Sequence, residues 1–325
     1  MTRRNQKEDG RFRWNRSLAV LGIALSCSIL ARSARASENV PHLAFAQWAD
    51  VPLPGQFVAG LVYQESESYH VWAKRTESSV KWIAGGESYG IDINQGFVAL
   101  QYGLTKKWAL DLEVGYTTVG YRYFADSTGQ QGNKQSTTGL MDTALGVRYQ
   151  IFNEADAPAP WAPTLTFRAG AVLPGTYDQN FAYAPGYRSA AIEPEILARK
   201  HFGWPGLGAY FDGLFRWNRT TGNDQYITVI GLFQQVKGWE LDLGYRHMQT
   251  ISGGDVVINA DQSVSYPRGV REISDSIEAG FSYTTSKQRI RYGLETRTTF
   301  DGSNTDSKFW FGGSIQIPFG GKHEQ

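Results

Sequence analysis

Alternation with period two runs through most of this chain and limits its fold more than any other feature. In Trp239-Glu-Leu-Asp-Leu-Gly-Tyr-Arg246, one face carries Trp239, Leu241, Leu243 and Tyr245, and the other carries Glu240, Asp242, Gly244 and Arg246. Trp108–Tyr116 repeats the pattern with Asp111 and Glu113 on its polar face, and Thr143–Ile151 sets Leu145, Val147, Tyr149 and Ile151 against Gly146 and Arg148. Side chains that alternate in this way belong to a strand with unlike faces. No sustained helical period competes. About twelve such segments are predicted, near 56–65, 88–103, 108–122, 140–152, 162–175, 190–200, 206–219, 225–236, 239–250, 272–285, 289–301 and 307–319. Most exceed the roughly 5–6 residues of a soluble-protein strand and match a tilted membrane-crossing strand of about 9–11 residues or more.

The connections point the same way. Leu104–Lys107, Asn153–Trp161, His201–Pro205, Lys237-Gly238 and Ser286–Gln288 are short, whereas the intervening connections near 66–87, 123–139, 176–189 and 251–271 are long. Short turns on one rim and long loops on the other are a property of outer-membrane barrels. Trp108, Trp161, Trp204 and Trp239 all fall at the short-turn rim, and Tyr116, Trp217, Tyr245, Phe300 and Phe309 fall at the other. Aromatic rings of this kind collect at membrane–water boundaries. A backbone in lipid must satisfy its own hydrogen bonds, and β-structure does so only when closed. The predicted fold class is therefore all-β: a transmembrane, antiparallel, up-and-down β-barrel of about 12 strands. A polar interior also explains a mean hydropathy of −0.37 beside 14% aromatic residues.

Residues 1–36 read as a cleaved secretory signal: a basic start, an apolar Ser17–Leu30 and the small-x-small Ala34-Arg35-Ala36. The segment takes eight Lys/Arg and two acids with it, leaving 24 basic and 29 acidic residues, a net charge of −5. It also takes Cys27, the single cysteine, so neither a disulfide framework nor a cysteine metal site is expected. A net acidic chain is not a nucleic-acid binder. The expected layout is a short periplasmic segment 37–55, a barrel 56–319 ending on Phe319, and a periplasmic tail 320–325. The expected location is the outer membrane of a Gram-negative bacterium, with outer-membrane lipids and the barrel-assembly machinery as partners.

Gln101–Tyr116, Gly139–Phe152 and the following Leu165–Gly175 resemble the strand–turn–strand phrases of outer-membrane proteins grouped under the MetA pathway of phenol degradation. These are distantly similar to hydrocarbon and fatty-acid outer-membrane transporters. The resemblance spans roughly residues 56 to 319. It implies passage of a small-molecule solute of hydrophobic or aromatic character. The segment Ser37–Gly55 is too short for the hatch of the fatty-acid transporters.

Facing the lipid costs an Arg or Lys about 2–4 kcal/mol at the midplane, so the charged alternating positions are assigned to the interior. The lumen-lining candidates are Asp111, Glu113, Asp142, Glu193, Glu195, Asp212, Asp242 and Glu295 with Arg148, Arg168, Arg199, Arg216, Arg246, Arg291 and Arg297. Every base in this set is Arg, suited to forked pairing with carboxylates. Two readings stay open: a salt-bridged brace that conducts nothing, and a hydrated pathway with a transverse field. In the loop 176–187, Tyr177, Phe181, Tyr183 and Tyr187 are candidates for stacking on solutes at the mouth.

Other classes are weighed against transport. Some twelve-stranded barrels act on lipids, which requires a positioned nucleophile and base. His247 has the lipid-facing parity for this, but no hydrolase phrase accompanies it, and no metal spacing or P-loop occurs. Non-catalytic, metal-free and cofactor-free is the expectation. The third class is a structural or surface-display barrel, for which the loops 66–87 and 251–271 supply material. The first of these, with Tyr69, Trp72 and Trp82, is a candidate for a short amphipathic piece at the outer leaflet.

Overall fold

The computed structural model describes residues 49–79, 82–84, 87–121, 135–157, 159–178, 186, 188–202, 206–219, 222–255, 257–258, 264–265 and 269–321. The predicted signal and Trp204 lie outside this set. The barrel strands are β1 (Gln56–Ser68), β2 (Ile91–Gly103), β3 (Trp108–Tyr121), β4 in two pieces (Gln135–Leu140 and Thr143–Phe152), β5 (Thr164–Leu173) and β6 (Ala191–His201). They continue as β7 (Leu207–Asn218), β8 (Gln225–Val236), β9 (Trp239–Thr250), β10 (Ile273–Thr284), β11 (Arg291–Ser303) and β12 (Phe309–Gly320). Each pairs antiparallel with its sequence neighbours, and β1 pairs with β12 from Gln56↔Gly320 to Glu67↔Phe309. That last ladder removes both sheet edges and closes a twelve-stranded barrel.

The alternation becomes an outside and an inside. Leu61, Ile230, Leu232, Leu243 and Leu294 point outward and are more than half exposed, whereas inward Val58, Leu197 and Val229 are buried. A continuous apolar exterior of this kind is stable only in lipid. Aromatic rings bound the apolar band. Trp108, Trp161 and Trp239 at the short-turn rim, and Tyr116, Trp217, Tyr245, Phe300 and Phe309 at the other, are 44% to 79% exposed. Leu243→Arg places a cation mid-strand on this face and is expected to lower unfolding stability in liposomes by about 2–4 kcal/mol. Unchanged stability in a urea titration would put Leu243 elsewhere than in lipid.

The tightest turn is Lys237-Gly238, with φ of 50° and 87°. Two positive φ values make the two-residue hairpin that matches strand twist. Inside, large side chains lie flat over glycines of neighbouring strands. Tyr210 on β7 crosses Gly231 on β8 and reaches Gly244 on β9, where any Cβ would collide with its ring or hydroxyl.

The fourth strand differs from its prediction, which began at residue 140. Tyr116 pairs with Leu140 and Glu113 with Ala144, so β4 carries one extra residue opposite β3. A bulge of this kind inverts the alternation. Thr137 and Gly139 face inward before it, and Gly146 and Arg148 after it. The two pieces therefore do not read as one strand in sequence.

The long connection after β1 contains two short hairpins, His70–Ala73 with Thr76–Ser79 and Trp82–Ala84 with Glu87–Tyr89. Trp72 is buried rather than lodged in the outer leaflet. Its amide donates to the Thr305 carbonyl at 2.7 Å. The Asn304 side chain donates to Asp255 at 2.9 Å and to the Arg271 carbonyl at 2.7 Å. Three loops are thus tied together over the outer end.

Candidate functional site

The barrel interior holds the charged residues, and Arg168 is their hub. Gly146 and Gly170, paired with each other on β4 and β5, leave the space its guanidinium fills. Arg168 Nη2 lies 2.8 Å from Asp111, and its Nη1 lies 3.5 Å from Glu193 and 3.3 Å from Glu195. Arg148 sits directly across the ladder from Arg168. Two like charges so placed repel, and Asp111 resolves this by also accepting from Arg148 Nε at 3.4 Å. Arg216 Nε reaches Glu193 at 2.6 Å. Four strands, β3 to β6, plus Arg216 on β7 are joined by these forked contacts.

The remaining predicted positions also face inward, with different access. Arg291 pairs with Glu240 and is buried, as are Glu295 and Asp212. Asp212 stands next to Glu195. Glu113, Arg216, Asp242, Arg246 and Arg297 are half-buried. Asp242 rests on Gly280, and the Arg297 guanidinium lies 5.4 Å from the Trp310 ring centroid. Within this set, the half-buried groups keep part of their surface uncovered, whereas Arg148, Arg168, Glu193 and Glu195 are packed. Asp142, in the β4 interruption, accepts from the Gly175 amide at 2.8 Å and from the Tyr177 hydroxyl at 3.0 Å. Tyr177 is thereby folded in and buried. Phe181, Tyr183 and Tyr187 lie outside the described residues.

Two features escaped the sequence reading. The first is an uncharged wall formed by inward Gln56 and Gln64 of β1, Gln95 and Gln101 of β2, and Gln316 of β12. Gln64 donates to Gln95 at 2.9 Å. The charged residues occupy the other strands, so the lumen has a neutral side and an ionic side. Glutamines in alternating positions were the available signal. The second is the chain just before β1. Ala49 and Asp50 are buried inside the short-turn end of the barrel. Asp50 pairs with Arg199 Nη1 at 2.8 Å, and the Ala49 carbonyl accepts from Gln150 Nε2 at 3.3 Å and from the Thr166 hydroxyl. The predicted lumen cation Arg199 therefore holds an N-terminal strap. Burial raises the Asp50 carboxyl, with Arg199 working against it.

At the same rim, Glu154 in the β4–β5 turn is held by Lys200 Nζ at 2.7 Å and His201 Nδ1 at 3.0 Å. Partial burial works to raise its pKa, but these hydrogen bonds prevail and keep it below the usual carboxylate range. His247 faces outward, 2.7 Å from Asp275, which also accepts from Tyr245. No group of three or more His, Cys, Asp and Glu among the described residues is placed to hold a metal ion.

The backbone is similar to that of an outer-membrane channel from Pseudomonas putida F1, of the group called COG4313. The TM-score is 0.62 at 15% identity, over 83% of this chain and 98% of that one. The fold is that of an outer-membrane barrel. The transport unit of the autotransporter AIDA-I from Escherichia coli is also similar, with a TM-score of 0.50 at 8% identity, over 93% of this chain and 97% of that one. No protein-family model and no curated protein matches the sequence. The resemblance to the phenol-degradation group therefore has no family match behind it, and the likeness rests on architecture.

Proposed function

We propose that this chain is an outer-membrane channel for small solutes, exported through a cleaved signal and inserted in the outer membrane of a Gram-negative bacterium. The observation that carries this reading is the contrast between faces. An apolar exterior encloses an interior in which half-buried Glu113, Arg216, Asp242, Arg246 and Arg297 remain accessible beside a wall of glutamines. A purely bracing interior has no need of polar groups left uncovered by packing. The named function of the P. putida protein supports a channel, and the sequence resemblance supports hydrophobic or aromatic solutes as the class carried. Neutral compounds would run along the Gln64–Gln95 side, away from the ionic side.

A second reading, a structural barrel without transport, is favoured by the packing of Arg148, Arg168, Glu193 and Glu195. Conductance in planar bilayers separates the two. The purified protein is expected to form small channels, and Arg246→Glu with Arg297→Glu is expected to shift ion selectivity towards cations. Absence of channels together with absence of solute uptake into liposomes would leave the structural barrel. Channels with unchanged selectivity would remove Arg246 and Arg297 from the path.

A further inference from the structure

The exterior of the barrel carries a groove of about 500 Å³ over β1 to β5, at the short-turn half of the apolar band. Two ladder rows build it. One runs Phe57↔Tyr102↔Leu110↔Val147↔Ala169, and the next runs Leu100↔Leu112↔Leu145↔Ala171. The floor drops where Ala169 and Ala171 stand between larger outward neighbours, Val147 and Leu145 on β4 and Ile192 on β6. An outward alanine in a row of leucines and aromatics leaves the volume of the missing side chain empty, and lipid must fill it.

What lies at the end of the groove selects the lipid. The β2–β3 turn directly beneath the first row presents Lys106 and Lys107, both exposed, followed by Trp108 at 44% exposure. Trp161 of the β4–β5 turn, at 79%, flanks the other side. Cations at the headgroup level attract anionic lipid, and tryptophans settle at the boundary between headgroup and acyl chain. We infer that this surface is a binding site for an anionic phospholipid of the leaflet that borders the short-turn rim. One acyl chain lies in the groove over Ala169 and Ala171, and the phosphate lies at Lys106 and Lys107. The site requires only that the barrel sits in a membrane, so it stands or falls independently of conductance.

Native mass spectrometry of the full mature chain, released from micelles containing equal amounts of dioleoyl phosphatidylglycerol and dioleoyl phosphatidylethanolamine, tests this. The wild type is expected to retain phosphatidylglycerol preferentially as a single adduct. Lys106→Ala with Lys107→Ala should reduce that retention roughly thirty-fold, as expected for two lysines at an anionic headgroup worth about 1 kcal/mol each. Ala171→Trp, which fills the groove without touching the turn, should abolish the adduct while heat-modifiable gel migration reports an intact barrel. Equal retention of the two lipids by the wild type, or adducts unaffected by Ala171→Trp, overturns the site. A dimer that Ala171→Trp disperses also overturns it, and assigns the groove to a second copy of the chain.

Discussion

Arg168→Gln is expected to destabilise the barrel strongly and to make its interior more cation-attracting. The substitution strips Asp111, Glu193 and Glu195 of a shared partner while all remain largely buried. Removing one member of a buried ion pair costs about 3–5 kcal/mol, because the other charge is left uncompensated. Asp111 keeps Arg148 and Glu193 keeps Arg216, but Glu195 is left beside Asp212. The expected readouts are a lower urea midpoint and a lower temperature for loss of the folded band on gels. In bilayers, the reversal potential should move towards cation preference. Arg168→Lys retains the charge but not the fork that spans three carboxylates, so it should fall between the two. Wild-type unfolding and selectivity in Arg168→Gln would show that the cluster is neither a brace nor part of the field.

Release of the N-terminal strap is expected to widen the short-turn end. Asp50→Asn leaves Arg199 without its carboxylate inside the barrel, and that loss should free the segment carrying Ala49 and Asp50. The predicted signal carries the only cysteine, so Ala49→Cys provides a clean probe in the mature chain. A membrane-impermeant thiol reagent should label Cys at this position slowly in an otherwise wild-type chain. Labelling should be roughly ten-fold faster or more with Asp50→Asn, since the local opening cost falls with the lost pair. Single-channel conductance should rise in parallel and rise further when residues 37–50 are deleted. Adding Arg199→Gln to Asp50→Asn should restore part of the protection, because no charge is then stranded. Equal labelling and conductance in all variants would make the strap a bystander. Ser37–Gly55 is short for a hatch, yet Ala49 and Asp50 within it are buried inside the short-turn end of the barrel.

The positions where sequence and structure part company share one cause. Trp239–Arg246 declared its faces because alternation is local: each residue's side follows from its neighbour's. The β4 bulge defeated that logic because one extra residue reverses the sense of inside and outside from Leu140 to Ala144. In sequence, the loop of Tyr69, Trp72 and Trp82 is a candidate for an amphipathic piece at the leaflet, but the Trp72 amide is committed to Thr305 on a loop more than 200 residues away. Arg148, Arg168 and Arg199 had the same inward parity and looked equivalent, yet one braces, one organises and one holds the strap.

By itself, then, the amino-acid sequence determined about twelve strands, their two faces outside the β4 bulge, and their aromatic rims. Those follow from a period of two and from lipid's refusal of unpaired backbone, and both act within single segments. Only the tertiary structure decided which carboxylate each arginine meets, that Asp50 turns back into the barrel, and that Ala169 and Ala171 open a groove above two lysines. Such contacts depend on how each strand is registered against its neighbours and on where the N-terminal segment returns to the barrel. Register is set by turns, bulges and barrel closure together, and the alternation of any one strand does not record which partner each residue meets.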